Sequence, residues 1–118
     1  HEFGVRVSLF TAPDTDVIFH AVEAGADRVE LYTENYAKEF YKNREQAIAP
    51  YVEAAEFSAS VGIGLNAGHD LNLDNLKYFN QQIPSLLEVS IGHALICDAL
   101  YYGLENTVQL YLRQLRKV

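Results

Sequence analysis

Val5 to Tyr32, VRVSLFTAPDTDVIFHAVEAGADRVELY, is the stretch on which the fold turns. Val5-Arg6-Val7-Ser8-Leu9-Phe10 is short and rich in β-branched and large apolar residues, the composition of a buried strand. Pro13-Asp14 then opens a helix. Val17, Ile18, Ala21, Val22 and Ala24 recur at helical spacing, and Gly25-Ala26-Asp27 closes it. Arg28-Val29-Glu30-Leu31-Tyr32 reads as a second strand. Two strands joined through a helix pair in parallel, by a right-handed crossover.

The same unit repeats outward. Gly62-Ile63-Gly64-Leu65-Asn66 and Glu88-Val89-Ser90-Ile91 are the third and fourth strands. Between the second and third, Ala47, Ile48, Tyr51, Ala55 and Ala59 form an i, i+4 stripe, and Pro50 inside it predicts a helix start or kink. Asn72 to Asn80 predicts a short helix with Leu73, Leu76 and Phe79 on one side. After the fourth strand come a helix over Ala94 to Tyr102, a break at Gly103, and a last helix carrying Leu104, Val108, Leu112 and Leu115. Arg113, Arg116 and Lys117 in its final turns suit the helix dipole.

The order is therefore β-α four times, over residues 1–118 as a single region with no linker. A (β/α)8 barrel takes roughly 250 residues, about 31 per unit. The chain's 118 residues over four units give about 30. The expected class is α/β: parallel units forming half of a TIM (β/α)8 barrel, with an open doubly wound sheet as the alternative.

Composition narrows the function classes. Hydrophobic residues at 49% and charged residues at 21% exclude disorder for most of the chain. No apolar run reaches the roughly 20 residues that span a bilayer. A net charge of −7 argues against nucleic acid as a partner, which demands a basic face. The single cysteine, Cys97, makes neither an internal disulfide nor a cysteine metal site, and a cytoplasmic location is expected. The chain has no Met and opens on His1-Glu2-Phe3-Gly4. Gly4 there fits the residue that follows a helix, which would make the chain a piece of something longer.

In parallel α/β folds the chemistry sits at the C-terminal ends of the strands. Two Gly-His pairs fall there, Gly68-His69 after the third strand and Gly92-His93 after the fourth. Glycines let a ligand approach the backbone, a helix starting near Ala94 offers a positive N-terminus to a phosphate, and a histidine suits proton transfer. Glu30 lies within the second strand; an inward carboxylate suggests function. Simpler readings stand beside these. Glu30 can be a salt-bridge partner of Arg6 or Arg28. Asp70 and Asp74 can cap the next helix. Tyr101-Tyr102 and Cys97 can be packing residues. His20 and Asp16 share a helix face without metal-ligand spacing.

The run Asn66-Ala67-Gly68-His69-Asp70-Leu71-Asn72, followed by Glu88-Val89-Ser90-Ile91-Gly92-His93-Ala94-Leu95-Ile96, resembles the pyridoxine 5'-phosphate synthase family. So do Val5 to Phe10 and Gly25 to Thr33, in the same order and spacing. The resemblance implies the C-terminal half of a (β/α)8 barrel that needs no metal or organic cofactor and assembles as a cytoplasmic homo-octamer. It implies condensation of 1-deoxy-D-xylulose 5-phosphate with 3-amino-2-oxopropyl phosphate to pyridoxine 5'-phosphate, phosphate and water. By the matching motif His69 is the proton donor and Glu30 the transition-state-stabilising carboxylate. Asp70, Gly92 and His93 hold the phosphate of the amino ketone.

The chain departs from the family pattern at Thr33-Glu34-Asn35-Tyr36-Ala37, where members often carry Thr-Gly-Pro-Tyr-Ala. Some members also carry Gly at the place of Asp70, where a ligand-facing carboxylate would repel phosphate. The partner implied for completeness is the N-terminal half of the barrel, which supplies the remaining catalytic residues. This chain alone is then expected to be inactive. The alternative is an isolated phosphate-binding half-barrel with a structural or assembly role. No lysine stands at a strand end, which argues against Schiff-base aldol chemistry.

Overall fold

The computed structural model describes residues 2–116. Four strands, β1 (Ser8–Thr11), β2 (Arg28–Tyr32), β3 (Gly64–Gly68) and β4 (Leu86–Ser90), alternate with six helices. The helices are α1 (Thr15–Glu23), α2 (Glu34–Phe40), α3 (Arg44–Val61), α4 (Leu76–Gln82), α5 (His93–Tyr102) and α6 (Leu104–Gln114). All three strand pairings are parallel and the sheet order is β1-β2-β3-β4. A strand order that follows the chain, without reversal, is that of a half-barrel rather than of a doubly wound sheet.

The two faces of the sheet differ in kind. Val29, Leu31, Leu65 and Ala67 point to the helices and join Ile18, Tyr36, Tyr51, Leu76 and Phe79 in one buried cluster. Register places Phe10, Glu30 and Asn66 side by side on the other face, with Ser8 and Arg28 below them. Glu88 and Ser90 of β4 align with Asn66 and Gly68 beyond a register shift at Leu65/Asn66. This second face corresponds to the inside of a barrel.

Three strands sit one to three residues from where punctuation put them. β1 starts at Ser8 rather than Val5, because the ladder begins at the Ser8–Arg28 pair; the turn before it is tied by Asp27, which accepts the Val7 amide through its carboxylate. β3 runs Gly64–Gly68 rather than 62–66, because Gly62 ends α3 in the left-handed region at φ 77°. β4 covers Leu86–Ser90 rather than 88–91.

Helices differ too. Helix α3 starts at Arg44, capped by the Asn43 side chain on the Gln46 amide, and runs through Pro50. Gln46 and Pro50 are both exposed, so water serves the carbonyl that the proline leaves without a donor. Helix α4 starts at Leu76, not Asn72, because the Asn72 carboxamide makes a turn on the Asp74 and Asn75 amides. Helix α2 was not anticipated; it buries Tyr36, whose ring meets Tyr51 and Phe79 edge-on and whose hydroxyl donates to the Asn75 carbonyl. Burial pushes that hydroxyl well above its ordinary pKa.

Gly103 breaks α5 from α6 as expected, at φ 82°. Gly4 has φ 70° and follows a turn at residues 2–3. His1 and Lys117 lie outside the described residues. Among those described, no helix is long and apolar enough to cross a membrane.

Candidate active site

The polar ends of β2, β3 and β4 converge at one mouth. A cleft of about 710 Å³ there is lined by His69, Asp70, Ser90, Gly92 and His93 together with Val89 and Ile91. Four of the five expected site residues therefore share one cleft. The fifth, Glu30, lies on the inner face behind it, with Oε2 3.9 Å from His69 Nε2.

His69 is the one described non-glycine residue at positive φ, 85°. A left-handed L-residue costs about 1–2 kcal/mol. The conformation has a consequence for placement. Strand alternation would send residue 69 toward the helices, on the side of Leu65 and Ala67. Instead its imidazole is 59% exposed, meets the Phe10 ring edge-on at 5.1 Å and faces Glu30. Its backbone amide donates to the Ser90 carbonyl at 2.8 Å. On either side, the Thr33 hydroxyl donates to the Gly68 carbonyl at 2.5 Å and accepts the Asp70 amide at 3.1 Å.

Glu30 is buried, and its surroundings overturn the salt-bridge reading. Arg28 and Arg6 both turn to Glu88, at 2.6 and 3.2 Å from its Oε1, and Arg28 also reaches Asn66. Hydrogen bonding from Arg28, reinforced by Arg6, holds the Glu88 carboxyl below its usual range. Among the described residues, Glu30 accepts a hydrogen bond from Ser90 Oγ at 3.2 Å on Oε1, while Oε2 is buried without a hydrogen-bond partner. Buried polar atoms are seldom left so.

Gly68 is required by packing rather than by a ligand. A Cβ there would lie 2.6 Å from the Ser90 carbonyl and 3.1 Å from Glu30 Oε2. Gly92 is the opposite case, since a Cβ there meets nothing within 4 Å and would project into open space. Gly92 caps α5 without a side-chain bond, and the first free amides of a helix follow it. His93 is the first residue of that helix and exposed, with Nε2 3.6 Å from Cys97 Sγ.

The simpler readings of the other residues change as well. Neither Asp70 nor Asp74 caps α4, which has no side-chain cap; Asp74 instead accepts the Tyr41 hydroxyl. Tyr101 and Tyr102 are 86% and 53% exposed, not packed. Cys97 is only partly buried. His20 pairs with Glu23, not Asp16. Sequence reasoning missed Thr33, Ser90 and the stacked Phe10–Tyr32 pair, whose centroids lie 5.2 Å apart. For Phe10 and Tyr32 a signal existed, since both are apolar residues in strands on the face of Glu30.

The model of the family "Pyridoxal phosphate biosynthesis protein PdxJ" matches residues 1–117. The chain is 64% identical over 114 residues to the pyridoxine 5'-phosphate synthase of Cytophaga hutchinsonii, covering 97% of this chain and 48% of that protein. It is 61% identical over 113 residues to the synthase of Bacteroides fragilis, covering 96% and 48%. With the synthase of Flavobacterium johnsoniae it shares 52% identity over 113 residues, with the same coverage. The chain thus spans about half the length of the curated relatives it matches.

Proposed function

The chain belongs to the family of the pyridoxal phosphate biosynthesis protein PdxJ, and on that premise we propose that it is the C-terminal half of a pyridoxine 5'-phosphate synthase. Residues 1–118 act as one region, four (β/α) units of a (β/α)8 barrel. The reaction is the condensation of 1-deoxy-D-xylulose 5-phosphate with 3-amino-2-oxopropyl phosphate to pyridoxine 5'-phosphate, phosphate and water. The observation that carries the reading is the imidazole of His69, turned by a left-handed backbone to within 3.9 Å of the Glu30 oxygen that lacks a hydrogen bond.

The roles follow from chemistry. Ring closure to a pyridine needs repeated proton movement and loss of water. His69, exposed at the mouth, donates a proton to the departing hydroxyl. Condensation of an amine with a carbonyl develops positive charge on nitrogen. The Glu30 carboxylate, with one oxygen not engaged in a hydrogen bond, stabilises that charge without reorganising. The amides opening α5, the space over Gly92 and the His93 imidazole receive the amino-ketone phosphate. Asp70 borders the same cleft. Its amide is engaged by Thr33, so the main anion contacts come from residues 92–95.

No metal or organic cofactor enters this scheme. Large apolar side chains such as Leu100 and Tyr101, 82% and 86% exposed, and α5, which buries no residue, support a further covering element. We assign that role to the N-terminal half and to subunits of a cytoplasmic homo-octamer. The span of half the relatives' length also admits a phosphate-binding half-barrel without turnover.

Kinetics separate these readings. In the complete polypeptide, His69→Asn removes the imidazole but keeps a residue type that tolerates the left-handed region. Turnover should fall by about 10²–10⁴, the usual worth of a positioned general acid, with thermal stability unchanged. Turnover per folded molecule preserved in this variant would refute the role of His69. The 118 residues alone should bind inorganic phosphate without turnover, and turnover by them would refute the half-site reading.

A further inference from the structure

We infer that Thr33 is a positioning residue that sets the reach of His69; the inference rests on the proton-donor reading above. Thr33 stands at the N-cap of α2, where a threonine hydroxyl ordinarily accepts an amide of its own helix. It makes no such bond. The residue is fully buried, and its hydroxyl crosses instead to the end of β3. There it donates to the Gly68 carbonyl at 2.5 Å and accepts the Asp70 amide at 3.1 Å.

Those two groups belong to the peptides on either side of His69. Together with the His69 amide on the Ser90 carbonyl, they hold both neighbours of the one strained residue. A left-handed L-residue persists only where its surroundings over-determine it. Without the hydroxyl, residue 69 relaxes toward an extended backbone. Alternation then carries the imidazole toward the helix side, away from Glu30 and Phe10. The hydroxyl touches neither substrate nor reacting atoms in this scheme; it acts through the His69 backbone.

The test uses the complete polypeptide with Thr33→Val, which keeps the shape and removes the hydroxyl, and Thr33→Ser, which keeps the hydroxyl. Thr33→Val should lower kcat by about 10²-fold, the scale of a misplaced catalytic group, with KM little changed. Thr33→Ser should stay within about threefold of the parent. In a His69→Asn background the Thr33→Val effect should shrink to about twofold or less, because both changes remove one function. The His69 imidazole NMR signals should move in Thr33→Val and not in Thr33→Ser.

An equal loss from Thr33→Val with and without His69 would overturn the inference, as would a Thr33→Ser as impaired as Thr33→Val. Should Thr33→Val fail to fold, Thr33→Ala, whose smaller side chain leaves room for relaxation, carries the same comparison. If His69→Asn leaves turnover intact, the proton-donor reading fails by itself. The clamp is then judged on the imidazole signals: unmoved in Thr33→Val they overturn it, displaced they support it.

Discussion

Replacing His69 by glycine and by alanine should reverse the usual ranking of those two residues. At an ordinary extended position glycine is less stable than alanine by about 0.5–1 kcal/mol, because its unfolded chain has more freedom to lose. At residue 69 φ is 85°. Alanine there keeps the left-handed penalty of about 1–2 kcal/mol, and glycine escapes it. Both variants forfeit the same edge contact with Phe10 and the same imidazole, so those losses cancel in the comparison. The difference is about 0–1.5 kcal/mol, centred near 0.75, in favour of glycine. Urea denaturation of the complete polypeptide should place the glycine midpoint higher by roughly a few tenths of a molar, at equal m. Turnover should collapse in both. An alanine variant more stable than the glycine variant, the ranking of an ordinary extended position, would refute the strained geometry, and with it the reason His69 faces Glu30.

Two other outcomes follow from the same mouth and a third from the ion pairs below it. Gly68→Ala puts a methyl 2.6 Å from the Ser90 carbonyl and 3.1 Å from Glu30 Oε2; denaturation should show a loss of about 1–3 kcal/mol, the cost of overpacking between two hydrogen-bonded strands. Gly92→Ala meets nothing in the fold, so its stability should stay within about 0.5 kcal/mol, while calorimetric titration with inorganic phosphate should show binding weakened by about tenfold or more. The Glu88 carboxyl is held below the ordinary glutamate value of 4.5 by Arg28 and Arg6. Its stabilisation is therefore present above that value and lost as pH falls through the lower folded value. Acid unfolding of Glu88→Gln should lack this component, and an unchanged profile between the two proteins would mean the ion pairs contribute nothing.

Chain order, and strand ends to within two residues, were legible because both are local. Gly, Pro and Asp punctuation marks where strands stop, and the helical spacing of residues such as Val17, Ile18 and Ala21 forces parallel crossovers. Once the pairs are parallel, the polar residues after β3 and β4 must meet at one mouth, so the Gly68-His69 and Gly92-His93 pairs could be named from strand order, while Asp70, which also reads as a helix cap, entered only through the family resemblance. The ladder's true starting points were less legible, since Ser8 begins β1 only because Arg28 lies opposite it. Tertiary structure alone decided who neutralises whom. Arg28 precedes Glu30 by two residues on the same face, yet it bonds to Glu88, 60 residues away, because strand spacing separates i and i+2 while the sheet folds β4 toward β2. That choice leaves one Glu30 oxygen without a hydrogen bond, facing His69. It also took the fold to bring Thr33 to the peptides flanking His69, across 35 and 37 positions of sequence. A positive φ at a histidine has no local signature. It exists because hydrogen bonds from distant residues outweigh a penalty that the residue by itself would avoid.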